Sequence, residues 1–154
     1  MLVDGIDSAW RAGKGRESIM SEGNKALVRR SWELPDNLDI LDEVYPPDLV
    51  WHDPDRDIKG SEEAKQFISM YKTAFPDLST TVEDVIAEND KVVTRWTVRG
   101  THQGEIEEFG PPTGRQVEIK GITIHHVEGS KIVEEWNTYD NLSVMQQLGL
   151  MSEQ

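Results

Sequence analysis

The side chains able to do chemistry in this 154-residue chain are of few types. There is no cysteine, which excludes a thiolate nucleophile, a disulfide framework and thiolate-ligated zinc or iron–sulfur clusters. The histidines stand at positions 52, 102, 125 and 126, without the helical i, i+4 pairing that a zinc site uses. Gly110-Pro-Pro-Thr-Gly114 lacks the Gly-Lys ending of a phosphate-binding loop, and its prolines remove backbone donors. No serine sits in a nucleophile elbow. What remains is acid–base chemistry by His, Asp and Glu, worth about 10²- to 10⁴-fold in rate where the groups are well placed. No metal and no cofactor is expected.

The densest set of such groups lies in the last β-hairpin pattern, residues 117–127 and 132–139 around Glu128-Gly129-Ser130. With the turn centred on Gly129, His125 falls opposite Val133, Thr123 opposite Glu135 and Gly121 opposite Asn137. Odd positions then share one face, which gathers Thr123, His125, Glu135 and Asn137 and brings His125 and Glu135 into diagonal contact. A buried carboxylate there would raise the histidine's pKa and orient its ring. Two alternatives stay open: a solvated face with an incidental ion pair, and a one-residue slip that exchanges His125 for His126. Elsewhere, His52 in Trp51-His52-Asp53-Pro54 either points into a pocket from a strand end or caps a turn with Asp53, and the turn is the usual role of Asx-Pro. Arg95, mid-strand beside Trp96, is a pocket cation or, more commonly, a half-exposed ion pair. Phe109, alone among turn residues, must pack on the domain or on what its loop encloses. Asp140 either caps the last helix or joins the site.

The elements that must position these groups follow from periodicity. Leu27, Val28, Ser31 and Trp32 keep helical spacing from Ser21 to Pro35, and Leu38, Leu41 and Tyr45 share a side before Pro46-Pro47. Ser61 is a plausible N-cap for a helix whose stripe is Ala64, Phe67, Ile68, Tyr71 and Phe75. Strands are expected over 80–87 and 92–102, then over the last hairpin, with a short helix over 142–148 closing at Gly149. Helices first and strands afterwards predict α+β architecture: a curved sheet, antiparallel throughout, wrapped on the helices. Residues 1–20 show no periodicity and read as a flexible tail on a domain of 21–154.

Sixteen Lys and Arg against 29 Asp and Glu give a net charge of −13, which repels phosphate backbones and anionic lipid, so no nucleic acid or membrane partner is expected. No apolar run approaches the roughly 20 residues that span a bilayer. Asp4 and Asp7 stand where a signal peptide is basic, and the lack of cysteine fits the cytoplasm.

Asn24-Lys-Ala-Leu-Val-Arg-Arg30, Phe75-Pro-Asp-Leu78, Val92-Val-Thr-Arg-Trp-Thr-Val-Arg-Gly-Thr-His102, Pro111-Pro-Thr-Gly-Arg115 and Gln146-Gln-Leu-Gly149 together resemble the SnoaL-like polyketide cyclases, or ester cyclases, from about Asn24 to Leu150. The resemblance implies the nuclear transport factor two-like fold, a cone with a deep pocket, as a homodimer acting on a small-molecule substrate. It implies intramolecular aldol ring closure without a cofactor, by an aspartate with a histidine nearby. Aligned on Lys131-Ile132 and the final Gln-Leu-Gly, Asn137 stands at the aspartate position and Thr123 at the histidine position. The expectation is therefore cyclisation or isomerisation of an apolar carbonyl compound, with His125 and Glu135 as a relocated acid–base pair. Asn137 and Thr123 would hydrogen-bond the oxyanion, with His52, Arg95, Trp96, Phe109 and Asp140 as further substrate contacts. The alternatives are a non-catalytic binding or dimerisation module and an epoxide-type hydrolase using Arg95 with Asp140.

Overall fold

In the computed structural model, residues 4–33 and 36–152 are described, with side chains described from Gly15 onward except at 17 and 18. Pro35, where the helical spacing is expected to end, lies outside the described residues. The first helix, α1, spans Asp4–Ser31 and so begins well before the expected Ser21. Ala, Arg, Lys and Glu in its first half favour helix by propensity, although they form no apolar stripe. A 3-10 turn at Leu38–Glu43 follows, capped by the Asn37 side chain accepting from the Asp39 N–H. Two short strands, β1 (Val50–His52) and β2 (Asp57–Lys59), occupy a stretch whose periodicity is too short to read. Helix α2 is Ser61–Ala74, and Gly60 rather than Ser61 is its N-cap, at φ 92° where a side chain would be strained.

Four long strands come next: β3 (Ser79–Glu88), β4 (Lys91–Thr101), β5 (Gln116–Glu128) and β6 (Lys131–Tyr139). Helix α3, Asn141–Gln147, closes the chain's fold. The sheet runs β2-β1-β6-β5-β4-β3. It is mixed rather than antiparallel throughout, because β1 lies parallel to β6. No hairpin joins β1 to β6, so turn geometry does not force them to oppose, whereas the hairpin neighbours are all antiparallel.

One apolar cluster joins α1, the 3-10 turn, β1 and α2 through Val28, Leu41, Leu49, Trp51 and Ile68. A second joins the end of α2, the loop after β4 and α3 through Phe75, Ile106, Phe109, Val117 and Leu148. The fold leaves a hollow between them. Among the described residues no helix is long and apolar enough to cross a membrane.

Candidate active site

The register of β5 and β6 decides what faces the hollow. Gly129 and Ser130, at φ 54° and 60°, make the two-residue turn, and Glu128 pairs with Lys131 and Val127 with Ile132. That register would set odd positions against even ones. A bulge between His126 and Val127 restores the match, so His125 pairs directly with Glu135, Thr123 with Asn137 and Gly121 with Tyr139. The expected parity therefore holds, while the expected partners were two residues off.

His125 is fully buried and Glu135 only 4% exposed. His125 Nδ1 lies 2.9 Å from Glu135 Oε1, and its Nε2 lies 2.9 Å from the Thr94 hydroxyl. Tyr45 donates its hydroxyl to the same Glu135 oxygen at 3.2 Å. Burial, and then the Glu135 charge, hold the Tyr45 phenol well above its ordinary range. Glu135 faces the hollow; His125 stands behind it and is not part of the lining.

A second set of bonds runs along the same face. The Trp96 indole N–H donates to Thr123 Oγ1 at 2.8 Å, and Thr123 donates to Asn137 Oδ1 at 2.7 Å. The Asn137 amide nitrogen then donates to Asp53 Oδ1 at 3.0 Å, and the Tyr139 hydroxyl donates to Asp53 Oδ2 at 2.8 Å. The direction is fixed at both ends, since an indole N–H can only donate and a carboxylate can only accept. Gly121 makes room for this arrangement: a Cβ there would stand 2.3 Å from the Trp96 ring. Burial raises the Asp53 pKa from its ordinary value, against the pull of the Tyr139 and Asn137 hydrogen bonds. Burial also raises Tyr139, helped by the charge of Asp53.

The hollow is a cavity of about 180 Å³ whose polar lining includes Asp53, Glu135, Asn137, Tyr139 and Asn141. Nine of the ten aromatic residues with described side chains line it: Trp32, Trp51 and Trp96, Phe67, Phe75 and Phe109, and Tyr45, Tyr71 and Tyr139. Phe109, held in the loop after β4, is 5% exposed. The loop is tied to α2 by the Tyr71 hydroxyl donating to the Glu108 carboxylate.

Several sequence candidates stand elsewhere. Thr123 is fully buried and both its hydrogen bonds are internal, so it is not placed to meet an oxyanion. Asn137 faces the cavity but gives its amide N–H to Asp53. His52 points away from the cavity, between Asp57 at 2.9 Å and Glu134 at 2.6 Å, and stacks on Trp136. Hydrogen bonds to the Glu134 and Asp57 carboxylates raise its pKa. Arg95 is half-exposed on the outer face in an ion pair with Asp84 at 2.6 Å. Asp140 caps α3, accepting from the Ser143 N–H at 3.0 Å. Neither Arg95 nor Asp140 lines the cavity, so the Arg95–Asp140 hydrolase arrangement does not form. Among the described residues no cluster of three His, Asp or Glu side chains is placed to hold a metal ion.

Asp53, Tyr45, Tyr71 and Tyr139 are the site residues that sequence reasoning passed over. The β1–β2 turn is real, with the Asp53 N–H donating to the Arg56 carbonyl, but the Asp53 side chain turns inward and His52 outward. Alternation carried the signal, since Asp53 shares parity with Trp51, an apolar residue that has to be buried.

Residues 19–148 match the family described as SnoaL-like polyketide cyclase. A candidate SnoaL-like polyketide cyclase from Jannaschia sp. CCS1 superposes with a TM-score of 0.76 at 24% identity, over 86% of this chain and 95% of that one, a likeness of fold. AclR from Streptomyces galilaeus, a candidate hydroxylase, superposes at 0.72 with 27% identity, over 87% of this chain and 85% of its own. IdmH from Streptomyces antibioticus, a candidate polyketide cyclase, superposes at 0.62 with 29% identity, over 84% and 93%. No curated protein matches the chain in sequence. With the match spanning nearly all of the described fold, the chain belongs to the SnoaL-like polyketide cyclase family.

Proposed function

We propose that this chain is a small-molecule enzyme that moves a proton at a carbon next to a carbonyl, in a ring closure or an isomerisation, and that Asp53 is the group that moves it. One observation carries the reading: a carboxylate with a raised pKa faces an aromatic-walled cavity with both oxygens held by donors. Such a carboxylate is basic enough to take an α-proton and acidic enough to return it.

In the proposed step the α C–H bond breaks and its proton passes to Asp53. The electron pair becomes the enol double bond, and the carbonyl oxygen receives a proton through the second cavity carboxyl, Glu135, which is hydrogen-bonded to His125. In a ring closure the enol carbon then bonds to a second carbonyl carbon, whose oxygen takes the proton held by Asp53, while the enol O–H returns its proton to Glu135. In an isomerisation Asp53 delivers the proton to a different carbon. Asn137 and Thr123 position Asp53 rather than touch the oxyanion. Trp96, Tyr71 and Phe109 contact the apolar body of the substrate.

The test is a panel of cyclic ketones, diketones and β-keto esters in deuterated water, followed by proton NMR. The expected result is protein-dependent exchange at one α-position of at least one compound, lowered by about 100-fold or more in Asp53→Asn, within the usual range for a lost general base. Exchange that survives Asp53→Asn would overturn the assignment, and a panel with no exchange above buffer would favour a ligand-binding role.

A further inference from the structure

The proton-transfer reading leaves the charge of the ligand open, and the cavity's electrostatics bear on it. Two carboxyl groups, Asp53 and Glu135, face the cavity, and among the described residues no Lys, Arg or His lines it. A third carboxylate, Glu108, accepts the hydroxyl of Tyr71 at the wall. The carboxylates act on the phenols that share the wall with them: after burial, the charge of Glu135 raises Tyr45, that of Asp53 raises Tyr139, and the hydrogen bond and then the charge of Glu108 raise Tyr71. Two basic groups lie beyond the lining. His125 stands behind Glu135, and the Arg56 guanidinium lies 4.9 Å from the centroid of the Phe67 ring.

Arg56 shows what such a wall attracts. It stacks a cation on a ring that also lines the cavity. Aromatic rings draw cations through their quadrupole, and the attraction grows when the cation is removed from water. Carboxylates beside the rings add a charge interaction that salt screens little in a sheltered site. An anionic ligand would meet the two carboxyl groups with no cation among the described lining residues to pair it, and the Arg56 guanidinium is already engaged over Phe67 and acts on Asp53.

We propose that the cavity selects a positively charged ligand: an apolar molecule bearing a protonated or quaternary amine, held between Asp53 and Glu135 against the aromatic wall. The proposal deepens the reading above and rests on it only for the cavity being the ligand site. The substrate class it names is an amine-bearing carbonyl compound.

Three probes of the same shape test it on the full chain: choline, its neutral carbon isostere 3,3-dimethylbutan-1-ol, and the anion 3,3-dimethylbutanoate. Binding is read from the indole N–H NMR signals of Trp32, Trp51 and Trp96. The expected result is choline binding at least 10-fold more tightly than the alcohol, with no saturable binding of the anion. The preference should shrink in Asp53→Asn and in Glu135→Gln. Equal binding of choline and the alcohol to the unaltered protein, or binding of the anion, would overturn the proposal without need of any variant. The two readings fail separately: exchange lost in Asp53→Asn with no choline preference leaves the proton-transfer role standing and removes this one. A choline preference without exchange does the opposite.

Discussion

Asp53 is held by a chain of donors that ends in a group unable to give way. Trp96 donates to Thr123, Thr123 to Asn137, and Asn137 to the carboxylate, so the rotamer of Asn137 is set from behind. Thr123→Val removes the middle of that chain and leaves a buried indole N–H and an amide oxygen without partners, a loss of about 1–3 kcal/mol for each buried group. The amide is then free to turn, and the α-proton exchange rate should fall by about 10-fold or more, as expected when a reacting group is misplaced by a fraction of an ångström. Thr123→Ser keeps the hydroxyl and should keep the rate. A rate kept in Thr123→Val and lost in Thr123→Ser would mean that packing of the methyl group, rather than the hydrogen bond, is what matters. At this scale the sequence was partly legible. Thr123, His125, Glu135 and Asn137 share a face because strand parity is robust, whereas Asp53 was hidden by its Asx-Pro setting, which describes the backbone and is silent on where the carboxylate points.

At the scale of elements, the hairpin of β5 and β6 works only because one extra residue is accommodated beside the turn. The two-residue turn and the facing of His125 on Glu135 require different registers, and the bulge at His126/Val127 reconciles them. No composition signal marks such a bulge, so the pairing was not legible even though both strands were. The same sheet leaves no space at Gly121, which stands opposite Trp96 in β4 and Tyr139 in β6. A methyl group there would meet the Trp96 ring at 2.3 Å and the Thr138 carbonyl at 2.7 Å. Gly121→Ala should therefore displace Trp96 toward the cavity and destabilise the fold by about 1–3 kcal/mol, the usual cost of overpacking. Thermal unfolding checks it, at about 2–4 °C of Tm per kcal/mol for a domain of this size. An unchanged Tm would show that the ring moves aside freely.

Over the whole molecule, the order of elements announced an α+β fold because helical and strand periodicities occupy separate stretches of the chain. The parallel placement of β1 beside β6 was illegible, since two three-residue strands carry too little pattern to assign and no local turn joins them to their neighbour. The early start of α1 was missed for a different reason: a helix without an apolar stripe shows only propensity. The fold that results spends nine of the ten described aromatic side chains on one cavity and places a carboxyl group in it. Because the folded pKa of Asp53 is raised, its charge destabilises the fold at pH above that value, and the penalty is relieved as pH falls through it. The same protonation removes the base, so exchange and this part of the stability change in opposite directions over one pH window. The most direct measurement is a carbon-13 NMR titration of the Asp53 carboxyl in the intact protein. The account predicts a midpoint above the ordinary aspartate value of about 3.9, coincident with the acid limb of the exchange rate; a midpoint at or below that value would contradict it.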